Sequence, residues 1–209
     1  MVFASRQRAG QLLSRKLLDE EIKADLVLGL PRGGVVVAAE IARAMQLPLD
    51  VLVVRKIRHP TNREFAVGAL AEGDVMLVNE QAIGDIRWAR AGLEEVIAEE
   101  TARLQDYIQR FHKGDPLNLN DQRVVLADDG LATGATMQVA IRSVRQQNAA
   151  AAIVVVPVAS LDAVNLLSPL ADELIALQID ASFDAVGRYF DHFAQVTDEE
   201  VLALLDRSG

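Results

Sequence analysis

Two adjacent carboxylates, Asp128 and Asp129, stand between a wholly apolar run, Val124 to Ala127, and a turn of small residues, Gly130-Leu-Ala-Thr-Gly-Ala-Thr136. An ionised carboxylate can only accept hydrogen bonds, so the pair suits vicinal hydroxyls. The turn leads into Met137–Gln147, which reads as a helix. Backbone N–H groups at such a start are free to point at one anion, and the helix dipole favours its charge. Thr133 and Thr136 add hydroxyl donors, and Gly134 lets the backbone come close. A phosphate cup beside two acceptors fits a ribose 5-phosphate. The same passage also suits a plain Asp helix cap with small residues easing packing. The rest of the chain decides between these readings.

A second turn of the same kind is Pro31-Arg32-Gly33-Gly34, between the apolar stretch Asp25–Leu30 and the helical stretch Val35–Met45. Arg32 sets a fixed positive charge beside exposed N–H groups, which suits a pyrophosphate. Leu49–Val54 reads as another strand, with Arg55 and Lys56 at its carboxyl end. Ligands of open parallel sheets gather outside the carboxyl ends of strands. Arg32, Arg55-Lys56 and Asp128-Asp129 therefore point to one shared site.

These residues need positioning elements. Ser5–Lys23 reads as a surface helix capped by Ser5, with Arg6 and Arg8 flanking its start. Ile57–Glu64 is polar, contains His59 and Pro60, and reads as an exposed, mobile loop. Phe65–Leu70 and Val75–Val78 read as an antiparallel pair at the sheet margin, and Gly84–Phe111 as a long amphipathic helix that covers the sheet or a partner subunit. Gly114–Asp121 is a loop. Strand Ala150–Val158, helix Leu161–Leu170 and strand Glu173–Gln178 follow. Ile179–Gln195 gathers Phe183, Tyr189, Phe190, His192 and Phe193 into a small satellite core, in which one ring could stack on a planar ligand. Thr197-Asp-Glu-Glu200 has the form of a capping box opening a last helix through Leu205.

The composition excludes whole classes. The chain of 209 residues carries a formal charge of −9, and no basic stripe exists to bind nucleic acid. It has no cysteine, hence no disulfide, thiolate metal site or cysteine nucleophile. The longest nearly apolar run, Ala149–Ala159, is too short to span a bilayer, and no signal-peptide pattern opens the chain, so a cytoplasmic location is expected. All four lysines lie at or before Lys113, and beyond Asn148 the basic residues are Arg188 and Arg207.

The chain resembles the type I phosphoribosyltransferases over essentially its whole length. The marks are Leu30-Pro-Arg-Gly-Gly-Val35, Val53-Val-Arg-Lys56, Glu64 with Ala66-x-Gly68-Ala69, the Asp128–Thr136 signature, and Phe183-x-Ala-Val-Gly187 followed by Tyr189. The resemblance implies an α/β fold with a mainly parallel central sheet between helices. It implies one domain over 1–209, with a core at roughly 20–178 and a small hood from roughly 1–20 and 179–209. It also implies transfer of phosphoribose from phosphoribosyl pyrophosphate (PRPP) to a small nitrogenous acceptor. Asp128 and Asp129 would hold the ribose hydroxyls. The N–H groups of Gly130 and Ala132–Thr136 (Ala135 among them) would hold the 5-phosphate, with the Thr133 and Thr136 hydroxyls. Arg32, Gly33 and Gly34 would form the pyrophosphate loop. Arg55 and Lys56 would approach it, and Ile57–Phe65 would be a lid. Phe183 and Tyr189 are candidates for contact with the base. Magnesium is implied as cofactor, held mainly by PRPP, with Asp128 and Asp129 as its candidate protein contacts. A homodimer is expected by family analogy.

Departures bear on the acceptor. Ala132 stands where 6-oxopurine enzymes carry an acid, and no lysine follows Lys113, so 6-oxopurines are disfavoured. Arg8 stands where this group carries an acid. Two alternatives stay open beside the transferase: a PRPP sensor that performs no transfer, and a hydrolase of a phosphoribosyl compound.

Overall fold

The computed structural model describes residues 1–79, 83, 87–112 and 118–207. Five strands form one sheet, parallel throughout, in the order β2-β1-β6-β7-β8. They are β1 (Leu26–Gly29), β2 (Leu49–Val51), β6 (Arg123–Ala127), β7 (Ala151–Ser160) and β8 (Glu173–Asp180). These strands are apolar without alternation because both faces are covered. On one face Leu28, Leu126, Val154 and Val156 pack with Met137 and Ile141 of helix α4 (Ala135–Gln146). On the other, Val27, Val125, Ile153 and Val155 meet Leu13 and Leu17 of α1 (Arg6–Asp19) and Val37 and Ile41 of α2 (Gly33–Met45). Each strand residue thus serves one hydrophobic layer and its neighbour the other.

Three further strands form a separate antiparallel sheet, β3 (Val54–His59), β4 (Asn62–Ala71) and β5 (Val75–Val78). This corrects two sequence expectations. The stretch Leu49–Val54 is not one strand: β2 ends at Val51, and after Leu52 and Val53 the chain enters the second sheet. Arg55 and Lys56 therefore lie within β3, not at the end of a parallel strand. The polar stretch read as a mobile loop is a paired hairpin, with Lys56 opposite Ala69 and His59 opposite Asn62. Antiparallel pairing satisfies the backbone without any apolar pattern, so polarity alone misled. Pairing of β4 with β5 was expected, although not in a sheet of their own.

Helix α3 (Arg87–Phe111) covers the second sheet, with Leu93, Val96 and Leu104 packed against Val67 and Leu70. The start predicted at Gly84 and part of the loop predicted at Gly114–Asp121 lie outside the described residues. Ser160 caps α5 (Leu161–Leu167), and Thr197 with Glu200 completes the predicted capping box of α6 (Asp198–Asp206). The satellite core forms from Tyr189, Phe190 and the partly buried Phe183, joined by Phe3 and Val158, whereas His192 and Phe193, expected in it, are exposed. No helix among the described residues is long and apolar enough to cross a membrane.

Candidate functional site

Strand order dictates where a ligand can sit. From β1 the chain moves outward to β2, whereas β6 on the other side of β1 leads away through β7 to β8. Loops leaving β1 and β6 thus diverge, and a crevice opens at the carboxyl ends between them. Gly29 and Ala127 are register partners there. The next residues along each strand are the Pro31–Gly33 turn and the Asp128-Asp129 pair.

The crevice has a volume of about 330 Å³, at the small end of ordinary ligand sites. Arg32, Gly33, Arg55, Lys56, Asp128, Asp129, Gly130, Ala132, Thr133, Gly134 and Thr136 all line it. Of the expected site residues, Gly34 and Ala135 stand behind this lining as the opening residues of α2 and α4. Arg58, which sequence reasoning passed over, joins it from the hairpin.

Two helices begin at this crevice, and both begin without a side-chain cap or an acid in the first turn. The Ncap of α2 is Arg32 and that of α4 is Gly134, whose φ of 76° is the left-handed conformation that glycine permits. By contrast α1, α5 and α6 are capped by Ser5, Ser160 and Thr197. Uncapped N–H groups and the dipoles of the two helices give the crevice features that suit anions. The peptide bond between Pro31 and Arg32 is cis. The turn that leads into α4 is braced from below: Leu131 N–H donates to Val158 O at 2.9 Å, and the Ser160 hydroxyl donates to Ala132 O at 2.5 Å.

Between the two helix starts lie the carboxylates. Burial pushes the Asp128 carboxyl well above its ordinary range, and the charge of Asp129 adds to this. The Asp129 N–H donated to Asp128 Oδ1 at 2.8 Å, Lys56 and Arg6 oppose the shift. Asp129 is held by Arg6, whose Nε donates to Oδ2 at 2.7 Å. Arg6 is buried, which corrects its reading as a residue flanking a surface helix. Arg8 does lie on the surface and reaches Gln11.

The cations divide into held and free. Arg55 pairs with Glu100 of α3 at 2.8 Å, and Glu100 is only 1% exposed. Arg32 lies 3.6 Å from Asp198 at the start of α6. Lys56 is exposed and makes no ion pair with any described residue, so its charge is available to a ligand. Sequence reasoning missed Arg6, Glu100 and Asp198, because their partners are distant along the chain.

Neither aromatic candidate reaches the crevice. Phe183 stacks on Tyr189 with centroids 5.3 Å apart, and the Tyr189 hydroxyl donates to Asp180 at 2.7 Å. That hydrogen bond raises the Tyr189 phenol and lowers the Asp180 carboxyl. From the segment 179–207, Val186 alone of the described residues lines the crevice.

A sequence profile of the phosphoribosyl transferase domain matches residues 4–184. A Mycobacterium tuberculosis H37Rv protein, provisionally named a phosphoribosyl transferase, is 39% identical over 208 residues. The match covers 99% of this chain and 47% of that protein, so the chain spans about half the length of the curated relatives it matches. The crystal structure of the TT1426 protein from Thermus thermophilus is 40% identical, with a TM-score of 0.79, over 100% of this chain and 99% of that one. The structure of the AQ2163 protein from Aquifex aeolicus shares the fold at 12% identity and a TM-score of 0.51, over 84% and 74% of the two chains.

Proposed function

The chain belongs to the phosphoribosyl transferase domain family, and from that premise we propose that it transfers phosphoribose from PRPP to a nitrogenous base or amine, releasing pyrophosphate. One observation carries the reading: two uncapped helix N-termini flank a carboxylate pair in a single crevice. PRPP presents two phosphate ends with a diol between them. The α4 turn would take the 5-phosphate, Asp128 and Asp129 the ribose hydroxyls, and the α2 turn with Arg32 and Lys56 the pyrophosphate.

Cleavage of the C1–O bond leaves positive charge on the ribose and negative charge on the pyrophosphate. Carboxylates under the sugar and cations at the leaving group stabilise that separation. Among the described residues no group of three or more His, Asp or Glu side chains could cage a metal ion. A carboxylate pair instead fits a magnesium ion brought by the substrate: Asp128 and Asp129 would help to hold it, and it would supply charge neutralisation at the leaving group. Ala132 offers no acid to the acceptor.

A second reading is a PRPP sensor. The apolar Val186 as the only described contribution of the segment 179–207 favours it, since no polar group there would read a base. The test is calorimetric titration with PRPP and with ribose 5-phosphate, each with and without Mg²⁺, then assay of pyrophosphate release against a panel of bases. Magnesium-dependent PRPP binding with base-dependent release supports the transferase. Binding without release supports the sensor, and release without a base supports hydrolysis. No binding at millimolar ligand ends all three.

A further inference from the structure

Arg6 is the first residue of α1 and lies 123 positions before the carboxylate it holds. Its guanidinium makes three contacts at once. Nε donates to Asp129 Oδ2 at 2.7 Å, Nη1 donates to the Ala194 carbonyl at 2.8 Å, and the group lies 3.7 Å over the ring of Phe193. The pyrophosphate turn closes over the same pair: a Cβ on Gly33 would fall 2.8 Å from Arg6 Nε. Four separate parts of the chain therefore meet at one side chain. An arginine is almost never buried without such pairing.

We infer that Arg6 is a positioning residue for the ribose, holding Asp129 by Oδ2 so that Oδ1 is left to the ribose 2-hydroxyl, and tying the 193–194 segment to that grip. The inference rests on the proposed reaction. No described residue takes Oδ1. A free carboxylate can rotate between two equivalent oxygens, and a guanidinium bond to one of them fixes the other. Arg6 also offsets the negative charge of Asp129, which would otherwise repel a phosphorylated sugar. Lysine cannot substitute, because an ammonium lacks the planar fork that reaches Asp129 and Ala194 from one rigid group.

The test compares ribose 5-phosphate with 2-deoxyribose 5-phosphate by calorimetry, on the wild type, Arg6→Gln, Asp129→Asn and the double variant. Arg8→Gln, on the surface nearby, serves as control and is expected to bind as wild type. Arg6→Gln is expected to weaken ribose 5-phosphate about tenfold. It should affect the deoxy sugar less, and add little to the loss already caused by Asp129→Asn. Equal losses for both sugars, or a double variant with fully additive losses, would reassign Arg6 to a purely structural role. Wild-type affinity in Arg6→Gln would overturn the inference outright. If Arg6→Gln fails to fold, Arg6→Lys keeps the charge and is expected to lose several-fold in the same sugar-dependent way; wild-type binding there overturns the inference equally. A wild type that binds neither sugar nor PRPP removes the proposed reaction itself, an outcome distinct from any difference among the variants.

Discussion

A Cβ built on Gly33 would fall 2.0 Å from Asp129 Oδ2, so alanine there must displace the carboxylate. Gly33→Ala is expected to reduce PRPP affinity at least tenfold, about 1.4 kcal/mol, in the same titration, and unchanged affinity would show that Asp129 does not face the ligand. A second residue, not among those lining the crevice, sets a pH dependence. His112 lies between Asp50, 3.4 Å from Nδ1, and Glu72, 3.0 Å from Nε2. Hydrogen bonds to Asp50 and Glu72 push its pKa up to about 10, against the opposing effect of burial. Because this lies above the unfolded value of 6.5, the contribution is fully present below that pH and is lost as pH rises through 10. The thermal midpoint of wild type is expected to fall between pH 7 and 10 more steeply than that of His112→Gln; parallel curves would rule the contact out as a source of stability. At this scale the sequence was legible where chemistry is written locally. Asp128, Asp129 and Arg32 announce themselves by their turns. Arg6 and Glu100 do not, since nothing near either residue marks its distant partner.

Elements hold these side chains through a few buried charges. Glu100 of α3 is 1% exposed and binds Arg55 of β3, so the helix is fastened to the hairpin by an ion pair as well as by Leu93, Val96 and Leu104. Removing one partner strands the other charge, which costs about 3–5 kcal/mol for a fully buried pair and less here, since Arg55 is 27% exposed. Glu100→Ala is expected to lower the thermal midpoint by several degrees. A change within a degree would mean that solvent already screens the pair. The cap of α6 predicts a smaller effect with a functional side. Thr197→Ala loses the capping box, worth about 1 kcal/mol, and loosens Asp198, which lies 3.6 Å from Arg32. A modest loss of stability should therefore accompany weaker pyrophosphate binding, measured with inorganic pyrophosphate as the probe; stability loss alone would disconnect α6 from the crevice. The capping box and most strands were legible because propensity and turn chemistry are local. The β3–β4 hairpin was not, because its pairing, rather than its apolar pattern, defines it.

On the proposed reading the whole molecule meets an electrostatic problem: a chain of net charge −9 would have to attract a polyphosphate. Two helix starts and a small number of local cations, rather than a basic surface, would do so. PRPP affinity is accordingly expected to fall several-fold between about 50 and 500 mM salt, since exposed Lys56 and Arg58 are screened. An affinity independent of salt would shift the burden to buried groups. Strand order, and with it the crevice, could only be guessed from sequence, because which strands become neighbours is decided by packing across the chain. The junction between the two sheets has one further consequence. The hairpin is rooted where Val53 N–H donates to Glu72 Oε1 and Glu72 N–H donates to Val53 O. Its far end, Pro60, rests beside Gly92 of α3. At about 3.3 Å per residue, Lys56 stands roughly 10 Å from that root and Pro60 roughly 23 Å. The hairpin is thus a lever whose long arm rests on α3, where Arg63 also pairs with Glu99, and whose short arm carries the ammonium. Any tilt at the tip would reach Lys56 reduced by more than half, so the tip can change in sequence while the ammonium keeps its aim.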